Sequence, residues 1–297
     1  MRVKNTVQVI TASSILGLKP TGVEELATAV LAEGLISKVG AVNTVIEVPT
    51  LNRLYNLHRY SGAILNTSAL QEFSLSLSKT IQSHALKEKF LLVLGGDCSI
   101  LIGVMLGLKL QGTYGLIFVD GHADFYSPET SITGEAADMD LALVTGRGPE
   151  VLTNIHGARP YVRDEDVIHL GQRDVNETIY YNAPDIRSTS IECLDAIFIQ
   201  EHGIQKVFQR IAKKFEGNAL DGFWIHFDTD VIEDNSNPAV DYRLPGGLSI
   251  KECHQILSHL ISTYNVVGMT VSIYNPRLDQ DGKVAETLVN LLAEVLH

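Results

Sequence analysis

Three places in the sequence gather residues that could move protons or hold a cation. In "FVDGHADFYSPE", Asp120, His122 and Asp124 stand at alternate positions just as the apolar run "GLIFV" ends. "WIHFDTDVIED" repeats the arrangement with His226, Asp228 and Asp230. "VLGGDCS" closes a third apolar run with two glycines, Asp97, Cys98 and Ser99. Side chains two apart on extended chain share a face, so each triplet can converge on one point. Carboxylates packed that closely repel one another and keep their protons unless a cation neutralises them. Two divalent metals would supply that charge and leave a bridging water as nucleophile. The plainer alternative is a set of solvated strand ends rich in turn-forming aspartate. A second D-x-D at another buried strand end favours the metal site.

The elements that would position these residues alternate along the chain. Strands are expected at 7–11, 44–48, 90–94, 115–119, 166–170, 222–227 and 266–274. Helical periodicity is expected near 68–85, 99–110, 200–215, 249–262 and 283–296. Thr21 with Glu24 and Ser249 with Glu252 read as capping boxes, the first opening a helix that Gly34 ends. Asp97 and Ser99 are placed to cap the helix after "VLGG". Near-continuous apolar strands separated by helices imply an α/β fold on a parallel sheet covered on both faces. Ligands of such sheets sit at the carboxyl ends of the strands. No linker or repeat divides the chain, so residues 1–297 read as one domain, with long loops at about 121–165 and 231–248 that would serve the site.

Composition limits the partners. A net charge of −12 argues against nucleic acid and anionic membranes and is compatible with a cationic substrate. Cys98, Cys193 and Cys253 are too scattered for a disulfide framework, which points to a reducing cytoplasm. The amino-terminal stretch reads as a first strand, not a signal peptide, and no apolar run is long enough to span a membrane.

The chain resembles the ureohydrolases, the arginase and agmatinase group. The resemblance rests on "GGDCS" for G-G-D-H-S, "DGHAD" for D-A-H-x-D and "HFDTD…LPGGLS" for S-x-D-x-D followed by P-x-x-G-G-L-S, with "HLGQRD" and "YNP" as weaker matches. It implies a three-layer αβα sandwich, commonly assembled as trimers or hexamers. It also implies two divalent metals, manganese being suited to an oxygen-rich site with imidazole. Asp120 and Asp228 would bridge the metals. Asp124 would complete the shell of the first, in the position that Cys98 also lines, and His122 and Asp230 would hold the second. The implied reaction is hydrolysis of a guanidine or related amidine C–N bond, with Asp124 carrying the proton to the departing amine.

Several positions depart from that pattern. Cys98 stands where a histidine ligand is usual. A thiolate favours zinc, iron or cobalt and a neutral thiol hardly binds, so the first site would be weak or prefer a softer metal. Alternatively Cys98 is a small buried residue and no ligand. Ile273 stands where a guanidinium-binding glutamate is usual, Ala137 where arginases carry a shuttle histidine, and Asn176 with Glu177 near the carboxylate that reads the substrate's amino group. These changes question L-arginine as substrate more than they question hydrolysis, leaving formiminoglutamate or a modified guanidine in play, and a catalytically silent homologue as the rival. His226, in place of serine, could be a proton carrier, an additional ligand, or a strand histidine satisfied by backbone. Glu129, Glu135, Asp138 and Asp140 could meet a cationic substrate from the long loop. Arg173, Asp174, Gly246 and Gly247 read as structural.

Overall fold

The computed structural model describes residues 6–40, 44–84 and 89–297. Expectations about residues 1–5 and about Ala85 lie outside the described residues. Eight parallel strands form one sheet in the order β2-β1-β3-β8-β7-β4-β5-β6. They are β1 (Val7–Ala12), β2 (Ile46–Glu47), β3 (Phe90–Gly95), β4 (Tyr114–Val119), β5 (Val167–Leu170), β6 (Glu192–Leu194), β7 (Gly222–Asp228) and β8 (Val266–Ser272).

Alternation along the strands sorts the core into two halves. Leu92, Leu94, Ile117, Val119, Ile225, Phe227, Met269 and Val271 face one side, where helices Ile204–Phe215, Ile250–Thr263 and Lys283–Leu296 pack. Leu91, Val93, Leu116, Phe118 and Trp224 face the other, against helices Thr67–His84 and Ile100–Lys109. The architecture is therefore an αβα sandwich with both sheet faces covered, which explains near-continuous apolar runs in the central strands.

Local differences from the expected elements have local causes. Strand 266–274 ends at Ser272, because Ile273 turns to φ 72°. Helix 200–215 is two helices, Ala196–His202 and Ile204–Phe215, meeting at Gly203 with φ 75°. The strand at 44–48 shortens to two residues, and β6 was not expected. Ser249 and Glu252 form a reciprocal capping box. Thr21 does not cap; its hydroxyl donates to Asp241 at 2.8 Å instead. Gly34, at φ 85°, does follow the end of helix Leu26–Ala32. Ser99 occupies the N-cap of Ile100–Lys109 without a side-chain capping bond, while Asp97 accepts from the amides of Ser99 and Gly17.

Candidate metal centre

Register brings the three sequence clusters to one edge. Val119 of β4 pairs with Phe227 of β7, so Asp120 and Asp228 emerge side by side. Asp228 pairs with Ser272 of β8, and β8 lies next to β3, which delivers Cys98. Both aspartates then fold the chain back in the same way. Asp120 Oδ1 accepts from the His122 amide at 2.6 Å, and Asp228 Oδ1 accepts from the Asp230 amide at 2.7 Å. Such turns suit aspartate, whose short side chain mimics a backbone acceptor. They fix one oxygen of each carboxylate and aim the other outward.

The remaining groups close around them. Cys98 Sγ donates to Asp228 Oδ2 at 2.7 Å and lies 3.1 Å from Ser272 Oγ. His122 Nδ1 meets Asp230 Oδ2 at 2.8 Å, and Asp230 Oδ1 accepts from the Gly121 amide at 3.1 Å. Behind them, Arg173 donates to the carbonyls of Asp230 and Val231, and Asp174 accepts from the Ala123 amide and from Gln172. Donor atoms of Cys98, Asp120, His226 and Asp228 lie within 4.8 Å of one another, as do those of Asp120, His122 and Asp230. Asp120 belongs to both sets. Asp124, in the left-handed region at φ 44°, joins neither set and faces Asp140 across the site. Among the described residues, neither oxygen of Asp140 has a hydrogen-bond partner.

Burial decides the protonation of the cluster. Asp120, Asp124 and Asp228 are at most 6% exposed. Desolvation first, and the neighbouring carboxylates second, hold these three well above the ordinary carboxylate range. Burial likewise raises Asp140, although the contact with Asp124 works against it. Burial and the charges of Asp228, Asp140, Asp120 and Asp124 push the Cys98 thiol up. For His122, burial lowers the pKa, but Asp230 outweighs it and brings the imidazole to about 10. Burial also opposes ionisation of Asp230, yet the His122 contact holds it below the usual range. His226 falls to about 3 and His169 to about 4, mainly through burial.

The residues fit a divalent cation. Among the described residues, Asp120 Oδ2, both Asp140 oxygens and His226 Nε2 are buried without a hydrogen-bond partner. Orphaned buried polar atoms are costly, and one cation would satisfy several at once. Carboxylate, imidazole and thiol are also the side chains from which protein metal sites are made.

Above the cluster opens a cavity of about 340 Å³. Cys98, His122, Asp124, Asp228, Asp230 and Ile273 line its floor, with Tyr126, Glu135, Asp138, Asp174, Glu177, Asp241, Tyr242 and Arg243 around the wall. Glu135 accepts from the Tyr242 hydroxyl at 2.7 Å and from the Lys19 amide at 3.0 Å. In its left-handed conformation Ile273 donates its backbone N–H to the Gly96 carbonyl at 2.9 Å. That conformation is unfavourable for a β-branched residue, a strain of about 1–3 kcal/mol kept at a functional surface. His226 does not line the cavity, and neither does Glu129. Sequence reading had no signal for Tyr242, whose partner Glu135 lies 107 residues away. Ser272 was also missed, since only the β7–β8 register puts it beside Cys98.

Known proteins with this sequence pattern and fold are consistent in kind. The model of the arginase family matches residues 40–297. An arginase of Staphylococcus aureus is 27% identical over 96% of this chain and 95% of its own length. The crystal structure of the Bacillus caldovelox arginase superposes with a TM-score of 0.86 at 25% identity, covering 98% of each chain. The formimidoylglutamase of Bacillus subtilis, at 16% identity, shares the fold with a TM-score of 0.72 over 98% of this chain and 86% of its own.

Proposed function

This chain belongs to the arginase family, and on that premise we propose that it is a binuclear metal-dependent hydrolase of a C–N bond in a small linear amidine or guanidine. The observation that carries the proposal is the pairing of Asp120 and Asp228 at adjacent strand ends, between two groups of metal-ligating atoms that share Asp120. Asp120 and Asp228 would bridge the two metals, with Cys98 and Asp124 at the first and His122 and Asp230 at the second. Manganese suits the second, and Cys98 makes the first weak for manganese or selective for a softer ion. Bound there, the metals would neutralise the crowded carboxylates and activate water for attack on the planar amidine carbon.

The chain's own groups then divide the remaining work. Asp124 lies outside both groups of ligating atoms but lines the cavity beside them, so it can pass a proton to the departing amine. Glu135, Asp138, Asp174, Glu177 and Asp241 make the wall acidic, which suits a cationic amidine. Ile273 places an apolar group on the floor, where the family pattern has a guanidinium-binding glutamate. The relatives named as arginases therefore do not fix the substrate, and a modified guanidine or a formimino compound fits this floor better than L-arginine. We further propose a single domain over residues 1–297, assembly as a homo-oligomer and a cytoplasmic location. Among the described residues no helix is long and apolar enough to cross a membrane.

The test is release of ammonia or urea by metal-reconstituted protein across a panel of amidines and guanidines. Turnover of at least one of them is expected. Full metal loading without turnover of any would overturn the assignment in favour of a silent homologue that keeps the fold as an assembly or regulatory subunit.

A further inference from the structure

We propose that His226 is a metal ligand and not a proton carrier, and that with Cys98 it turns the first metal position into a mixed nitrogen, sulfur and oxygen site for a borderline-soft divalent ion such as zinc, iron(II) or cobalt(II). The proposal rests on the two-metal reading above and adds which atoms hold the first ion and which class of ion they select.

The imidazole is fully buried, and among the described residues its Nε2 has no hydrogen-bond partner. Its other nitrogen is committed, since Nδ1 lies 2.8 Å from Thr270 Oγ1. The ring stacks on Phe118 with centroids 4.8 Å apart, so its orientation is set by the sheet. Register explains the stacking: His226 pairs with Phe118 on one side and Thr270 on the other, two residues below Asp228 on the same face. The free Nε2 therefore joins Cys98 Sγ and one oxygen each of Asp120 and Asp228, all within 4.8 Å. Ligand atoms around a tetrahedral ion with bonds of about 2.0–2.3 Å are separated by about 3.3–3.8 Å, so small side-chain shifts bring these atoms onto one ion.

The competing partner for Nε2 is Asp140, whose Oδ2 stands 4.0 Å away, beyond hydrogen-bond reach. A ligand role thus satisfies an atom that the protein alone leaves orphaned. Two non-oxygen donors move the preference of the first position away from manganese, while Asp120, His122 and Asp230 stay oxygen-rich at the second. Ligation displaces the Cys98 proton to solvent.

The experiment is cobalt(II) titration of chelator-stripped full-length protein. It follows sulfur-to-cobalt charge transfer in the near ultraviolet and counts metal by inductively coupled plasma mass spectrometry. Wild type should bind two ions, one of them with the sulfur band, and zinc should displace that ion more readily than manganese does. Cys98→Ser should lose the band. His226→Gln should weaken that ion by about tenfold or more and leave the other unchanged. A double variant, Cys98→His with His226→Ser, should regain affinity without the band, because the imidazole then reaches the same point from the other wall. Wild-type affinity and spectrum in a folded His226→Gln would overturn the proposal while leaving the two-metal reading intact. If that variant does not fold, failure of the double variant to bind the first ion overturns it instead. A wild type that binds no cobalt overturns both.

Discussion

Asp120 and Asp228 are each held by an amide two residues away, whereas Glu135 on the cavity wall is held by Lys19 and Tyr242, more than a hundred residues distant on either side. The cluster is built from strand ends, and its spacing follows from pleat and register. The wall is built from loops that meet only after the sheet has formed. The contrast separates two tasks. The groups proposed to hold ions and move protons sit where backbone fixes them within short range, and those proposed to choose the substrate sit where the chain can vary without disturbing the sheet.

The largest effect should come from breaking the cluster at a bridge. Asp228→Ala removes a carboxylate proposed to bridge the two ions and should abolish binding of both and all turnover, while Asp230→Ala should weaken mainly the second ion. Mass spectrometric metal counts on the two variants decide it, and retention of both ions by Asp228→Ala would show the bridging assignment to be wrong. Next in size is Asp124→Asn, which keeps shape but removes the proposed proton carrier. Turnover should fall about a hundred- to ten-thousand-fold. The remaining metal content separates a lost proton relay from a lost ligand.

Stripping the metals sharpens the contrast through pH. Asp120, Asp124 and Asp228 have folded pKa values above their unfolded ones, so their contribution to stability is lost as pH rises above the ordinary carboxylate range. His122, raised to about 10, stabilises fully below its unfolded value and loses that contribution as pH approaches 10. Both trends have the same sign. Buried His226 and His169, held at about 3 and about 4, oppose that trend below their unfolded value. The melting temperature of chelator-treated protein should therefore fall from pH 7 to pH 9, with the gap to the metal-loaded protein widening. At a hundredfold excess over the dissociation constant one bound ion contributes about 2.7 kcal/mol. A gap that stays constant over that range would refute the link to these groups.

The wall should respond more weakly. Ile273→Glu restores a charged partner for a guanidinium, worth about 1.5–3 kcal/mol, or one to two decades in kcat/KM for L-arginine. Efficient L-arginine turnover by the wild type would contradict the role given to Ile273. The smallest change expected is Tyr242→Phe, which frees Glu135 from one hydrogen bond. Its effect on KM should correspond to about 0.5–1.5 kcal/mol with metal content unchanged.

Some of this was readable before any coordinates. The alternate spacing of Asp120, His122 and Asp124, and of His226, Asp228 and Asp230, determines a shared face, because a strand repeats every two residues whatever surrounds it. Apolar runs broken by helical segments determine a covered parallel sheet, and Ser249 with Glu252 determines a helix start, because both are local properties of the chain. Which strand ends stand side by side was not readable. The order β3-β8-β7-β4 alone sets Cys98 against Asp228 and brings Ser272 between them. The left-handed turn at Ile273 and the meeting of Glu135 with Tyr242 were equally silent, since both depend on contacts made across the fold. His226 shows the division within a single residue. Its spacing fixed the face it shares with Asp228, but only packing against Phe118 and Thr270 decided that its free nitrogen is buried beneath the cluster and not open to the cavity.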